Sequence, residues 1–308
     1  MKAIMKYFAA VCALSLLTGC SSPKQSAAET ESPTDSEKQT ETEETKEPEV
    51  KKSYVLKDAV IVDNDNCTFT ITDVTASGGG DVTFKVLCEN KSDMNLMFAI
   101  ENGAVNGYMM DPFWATTVAA GKKDNNSFTF HHSSLDDSNL ESVDKFKFKL
   151  RIYDNDNWEA EPVVNEEYTV YPTGLSEDEI VVPERWKGND EKIIVDENGV
   201  QFVILGTYKD DIWGYSLAVY LENNTDQDLM YSWDNVSVNG YMIDPFWGTT
   251  VTAGNKQITS IQFLDSYFEE NNIETVENVE FTLRVHDVND WMADSIVEDV
   301  YTYEPTQK

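Results

Sequence analysis

The residues best able to do chemistry are few in this chain, and an internal repeat judges each of them. Histidine is the commonest general base, yet His131, His132 and His286 are the only three in 308 residues. Residues 106–123 (NGYMMDPFWATTVAAGKK) recur at 239–256 as NGYMIDPFWGTTVTAGNK, an offset of 133 positions with fourteen of the eighteen residues identical. The same offset sets His131 against Leu264, His132 against Asp265 and His286 against Tyr153, so the two copies share no histidine. No Gly-x-Ser-x-Gly, Cys–His pair, phosphate loop or metal-spaced histidine pair occurs. The acids held in both copies at positions of interest, Asp111/Asp244 and Glu141/Glu274, are the only candidates for carboxylate catalysis, and Asp111 precedes Pro112 as a turn residue does. The expectation is a protein that is not an enzyme.

Three other groups of residues are candidates. Asp154-Asn155-Asp156-Asn157 and Asp287-Val288-Asn289-Asp290 close the same strand in both copies. Clustered carboxylate and amide oxygens suit calcium, with Asp154, Asp156, Asp287 and Asp290 as ligands, although neither loop has the glycine and distal glutamate of an EF-hand; the same residues also make simple turns. The duplicated Asn-Gly-Tyr-Met-x-Asp-Pro-Phe-Trp segment offers Tyr108, Asp111, Phe113 and Trp114, with Tyr241, Asp244, Phe246 and Trp247, as an exposed aromatic platform on a loop. Aromatics of this kind dominate protein interfaces and stack on sugar rings, whereas the bland alternative puts one or two of them in the core. Trp158 and Trp291 read as core or hairpin cover. Finally, Cys67 and Cys88 match Val200 and Leu221 in the second copy and should point inward. A hairpin that sets Phe69 against Val86 and Ile71 against Phe84 would oppose the two thiols closely enough for a disulfide; the alternative is two buried thiols that pack like valine.

The elements that carry these residues have a period of two. Phe146-Lys147-Phe148-Lys149-Leu150-Arg151-Ile152 is the clearest case, and its inward set matches Val279, Phe281, Leu283 and Val285. Turn signals separate such stretches, among them Asp63-Asn64-Asp65-Asn66 and Gly78-Gly79-Gly80. One short helical turn is expected within residues 135–143, and again within 268–276. Seven or eight short strands per copy predict an all-β chain of two tandem immunoglobulin-like antiparallel β-sandwich domains, at 53–172 and 190–305, joined by a linker at 173–189. Each copy is long enough to bury a core of its own.

The ends and the charge define the setting. Lys2 and Lys6, an apolar run at residues 7–17 and Leu17-Thr18-Gly19-Cys20 predict a lipoprotein signal peptide at 1–19 with Cys20 acylated. Residues 20–52 are a tether of Ser, Thr, Glu, Lys and Pro, too polar to offset the entropy of ordering. Such a coil spans roughly 30 Å on average. The formal charge of −33 repels nucleic acid and anionic polymers. A local patch of Lys145, Lys147, Lys149 and Arg151 keeps only Arg284 in the second copy and reads as a solvated strand face.

A lipobox, an acidic Ser/Thr tether and repeats carrying ENKSD, NGYMMDPFW, AAGKK and FKLRIYD together resemble Gram-positive surface lipoproteins with tandem telokin-like, immunoglobulin-fold domains. The resemblance implies that fold and no enzyme activity. The expectation is a non-catalytic lipoprotein held at the outer face of the cell membrane, with the bilayer and an envelope protein or polysaccharide as partners and no cofactor. The alternatives are a structural or accessory envelope subunit and a calcium-binding surface protein.

Overall fold

The computed structural model describes residues 53–306 apart from Trp291, and both repeats belong to one compact unit. The signal peptide, Cys20 and the tether lie outside the described residues. Repeat 1 runs β1 (Lys57–Asp63), β2 (Cys67–Ala76), β3 (Val82–Asn90), β4 (Leu96–Val105), β5 (Tyr108–Met109), β6 (Ala115–Val118), β7 (Lys123–Phe130), α1 (His132–Asp137), β8 (Phe146–Asp154) and β9 (Val164–Val170). Repeat 2 follows the same order with β10 (Lys192–Glu197), β11 (Val200–Asp210), β12 (Gly214–Asn223), β13 (Leu229–Val238), β14 (Tyr241–Met242), β15 (Gly248–Val251), β16 (Lys256–Phe263), α2 (Asp265–Glu270), β17 (Val279–Asp287) and β18 (Val297–Tyr303).

Each repeat is a sandwich of two antiparallel sheets. In repeat 1 one sheet is ordered β1-β2-β3-β7, and the other centres on β4, with β5 and β6 on one side and β8 then β9 on the other. The chain changes sheet between β3 and β4, between β6 and β7, and again before β8, which is the interleaving of an immunoglobulin-like Greek key. The period-two stretches supply the filling. Phe146, Phe148, Leu150 and Ile152 of β8 are buried between the sheets, as are Val279, Phe281, Leu283 and Val285 of β17. The helical turns lie slightly earlier than expected, and Leu135 and Phe268 anchor them to their cores.

Two shared asparagines tie the loops down. The Asn90 amide donates to the carbonyls of Met94 and Val118, and the Asn223 amide to those of Gln227 and Val251, at 2.7 to 2.8 Å. A buried carbonyl left without a donor costs about 1–3 kcal/mol, so both copies keep the residue for packing reasons.

Two expectations need correction. The β2–β3 register sets Cys67 against Asn90 and Phe69 against Cys88, so the thiols are diagonal neighbours, and both are free and buried. The hairpin closes at Ala76 and Val82, with the Ser77 amide donating to the Asp81 carbonyl at 2.8 Å, which centres the turn on Gly79. Together with the bulge between Ile71 and Asp73, that slides the register at the cysteines by two residues and leaves the inward set unchanged, since side chains alternate with period two. Trp158 is 68% exposed, which removes the core alternative and leaves hairpin cover, and Trp291 lies outside the described residues. The basic strand face reaches solvent, and its charges are paired there: Lys145 with Glu177, Lys147 with Glu167 and Arg151 with Glu101.

The repeats are not separate beads on a linker. The first sheet of repeat 2 and the second sheet of repeat 1 join into one nine-stranded sheet, in which β16 runs parallel to β5. The junction is the Lys256 amide donating to the Gly107 carbonyl at 2.9 Å.

Candidate interaction site

The duplicated segment begins with a tight hairpin. Asn106 and Gly107 (φ 49° and 87°) and Asn239 and Gly240 (φ 51° and 81°) turn both copies in the left-handed region, as the Asn-Gly sequence demands. Each asparagine also pins its turn to the loop before the next strand. The Asn106 amide donates to the Ser142 carbonyl at 2.8 Å, and its oxygen accepts from the Asp144 and Lys145 amides; Asn239 does the same with Thr275, Glu277 and Asn278.

After Pro112 and Pro245 the alternation inverts. Phe113 and Phe246 both adopt φ 49°, a conformation that costs a bulky side chain about 1–3 kcal/mol. Asp111 Oδ1 and Asp244 Oδ1 accept the Phe113 and Phe246 amides at 2.7 Å and hold the bend. Burial pushes the Asp111 carboxyl above its ordinary value. The bend throws the phenylalanines outward, 87% and 96% exposed, and turns the tryptophans in. Trp114 packs against Phe69 and Phe128 and donates to Asn126 Oδ1 at 3.2 Å, and Trp247 packs against Phe202 and Trp233. The expected platform is therefore divided, with Trp114 and Trp247 belonging to the cores and Phe113 and Phe246 to the surface.

Tyrosine separates the copies. Tyr108 is 1% exposed and Tyr241 is 49% exposed. The difference arises at the junction, where repeat 2 presents an apolar outer face to β5. Val203, Leu205 and Tyr220 there are 0%, 1% and 3% exposed and join the core cluster of repeat 1, with Ala218 and Ile258 beside them. Met109 packs onto the core of repeat 2, and the Thr252 hydroxyl donates to its sulfur at 3.2 Å. The expected linker completes the joint. Arg185 holds Glu191 by two hydrogen bonds of 2.7 and 3.0 Å and lies 4.7 Å over the Tyr220 ring, and Trp186 Nε1 donates to the Asp137 carbonyl at 2.8 Å. Burial, then neighbouring Asp136, raises the Asp137 carboxyl to about 7.

Reading for shared residues missed this joint, because it is built from differences. Phe202-Val203-Ile204-Leu205 is apolar throughout, while its counterpart Phe69-Thr70-Ile71-Thr72 alternates. An unbroken apolar strand is the mark of burial on both faces. In repeat 2 the corresponding edge has nothing against it among the described residues: β14 pairs only with β13, Met242 is 70% exposed, and Tyr241 and Phe246 stand beside it.

The remaining candidates lie in turns and on the surface. Asp154 and Asp287 accept the Asp156 and Asn289 amides, Asp290 accepts the Met292 amide, and Asp156 takes the Asn95 amide group. Those are turn contacts, and among the described residues no group of three or more His, Cys, Asp or Glu could hold a metal ion. His131 and His132 both face Asp81, at 3.7 and 3.1 Å, on an exposed surface. Glu141 and Glu274 are exposed. A cleft of about 50 Å³ beside Trp186, Asp190, Leu205 and Tyr208 has room for a few water molecules.

No family model matches the chain, and no curated protein matches it. Among solved structures it is similar to the transglutaminase of red sea bream, with 10% identity and a TM-score of 0.22 over 80% of this chain and 32% of that one. The chain thus spans about a third of that protein, and a likeness this distant carries no argument about activity.

Proposed function

We propose that the protein is a non-catalytic lipoprotein, anchored through acylated Cys20 at the outer face of the cell membrane, that binds an envelope protein through the open edge of repeat 2. One observation carries the binding reading: the Tyr-Met edge that docks protein in repeat 1 is exposed in repeat 2. A partner protein is favoured over a polysaccharide because the docked copy of the segment already shows what its surface accepts. The lipobox, the acidic tether and the resemblance to surface lipoproteins support the anchor.

Cross-linking capture on envelopes of the producing cell tests the binding, using the soluble chain from Lys51 with and without Met242→Asp. Saturable recovery of one protein, lost in the variant, is the expected result; a polysaccharide, or recovery indifferent to the variant, contradicts it. Metabolic labelling with palmitate should mark the wild-type chain and leave Cys20→Ser unlabelled.

A further inference from the structure

Resting on that reading, we infer that the open edge of repeat 2 receives a β-sandwich domain of another protein, which docks a free edge strand with an aliphatic outer face against Tyr241 and Met242, as repeat 2 docks on repeat 1. The chain contains its own bound example. The two edge segments share Asn-Gly-Tyr-Met, closely similar φ angles at the Asn-Gly turn and the same outward bend at phenylalanine. In repeat 1 the Gly107 carbonyl accepts the Lys256 amide, the Met109 sulfur accepts the Thr252 hydroxyl, and the aliphatic face of Val203, Leu205 and Tyr220 covers the edge. The equivalent groups of repeat 2, the Gly240 carbonyl, Met242 and Tyr241, are set out in the same arrangement with no strand beyond β14 among the described residues.

The receiving face on this chain identifies the occupant as another protein. The aliphatic face of repeat 2 is already covered by repeat 1. Its counterpart in repeat 1, beside the free edge of β7, is Thr70, Thr72, Lys85, Leu87 and Asn125 in place of Val203, Leu205, Ala218, Tyr220 and Ile258. A second copy therefore brings a polar face and a strongly negative charge to a surface that wants neither. Charge sets a further property of the partner. The outward row across the open edge runs Met242, Ser237, Glu280, where repeat 1 has Met109, Ala104, Lys147, and Asp234, Asp244 and Glu277 are exposed nearby. In the internal joint Arg185 and Lys256 are held by Glu191 and Glu222 of the same side, so the acids of the open edge alone set the complement. The partner's edge is accordingly flanked by Lys or Arg.

Grafting the receiving face onto repeat 1 tests this without knowing the partner. The probe is the soluble chain carrying Thr70→Val, Thr72→Leu, Lys85→Ala, Leu87→Tyr and Asn125→Ile, compared by sedimentation with the wild type, with circular dichroism as the check on folding. The wild type should remain monomeric and the grafted chain should form concentration-dependent head-to-tail oligomers, because a heterologous contact of this kind does not close. Adding Met242→Asp should return the grafted chain to monomers. A folded grafted chain that stays monomeric overturns the inference, as do oligomers indifferent to Met242→Asp. Wild-type oligomers lost on Met242→Asp would make the occupant a second copy and overturn it too. Capture that depends on Met242 beside a failed graft would leave the binding reading standing and remove only the class of partner.

Discussion

Replacing Tyr108 and Tyr241 by alanine, one at a time, separates the docked edge from the open one. The residues are identical, occupy the same strand position and follow the same turn, so their difference reports the joint alone. Tyr108 is 1% exposed, and an aromatic ring so enclosed removes about 150–200 Å² from water. At about 25 cal/mol per Å² that is about 4–5 kcal/mol, an upper figure because unfolded chains already bury part of it. Tyr241 is 49% exposed, so its truncation should cost about half as much, roughly 2 kcal/mol, on the same area scale. A gap of about 2 kcal/mol corresponds to a factor of about 30 in the unfolding equilibrium. Urea denaturation followed by tryptophan fluorescence and circular dichroism would show it as a lower midpoint for Tyr108→Ala, provided the slope is unchanged. Equal midpoints for the two variants would refute the reasoning, because the joint would then contribute nothing to the stability of repeat 1.

The remaining predictions concern single residues. Phe246→Asn should relieve left-handed strain and raise stability by up to about 1 kcal/mol; a clear loss of stability would show that the ring packs. Asp137, raised to about 7 by burial, stays protonated in the folded state while the unfolded chain ionises. It therefore stabilises fully below the unfolded carboxylate range, and that contribution is lost as pH rises through about 7. Asp137→Asn should accordingly gain stability relative to wild type between pH 4 and 7, and a constant difference across that range would contradict this. Burial raises both thiols, Cys88 to about 12, so a thiol reagent at pH 8 should label both cysteines only in denaturant; no labelling there would mean that they are bridged. Adding EDTA to protein in millimolar calcium should leave the melting temperature unchanged, and a fall would restore the Asp/Asn loops as ligands.

Much of the fold was legible because strand burial writes itself into sequence with period two, and the duplication repeated that signal. The sandwich and the inward residues of β8 and β17 follow directly from it. The cysteine register did not, since a slip of two residues preserves the inward set, and the Ser77–Asp81 turn and the bulge between Ile71 and Asp73 decide between registers. The aromatic segment was legible in composition and not in direction, because a left-handed residue after proline inverts the alternation and sends Phe113 out and Trp114 in. The joint between repeats was present as the contrast between FVIL and FTIT, which a search for identities passes over.

The most direct test of the central claim is photo-cross-linking in the producing cell, with a benzophenone amino acid placed at position 242 or, as a control, at position 149. The account predicts a discrete adduct with one other protein from position 242 and none from position 149. The same adducts from both positions, or none from 242, would contradict it.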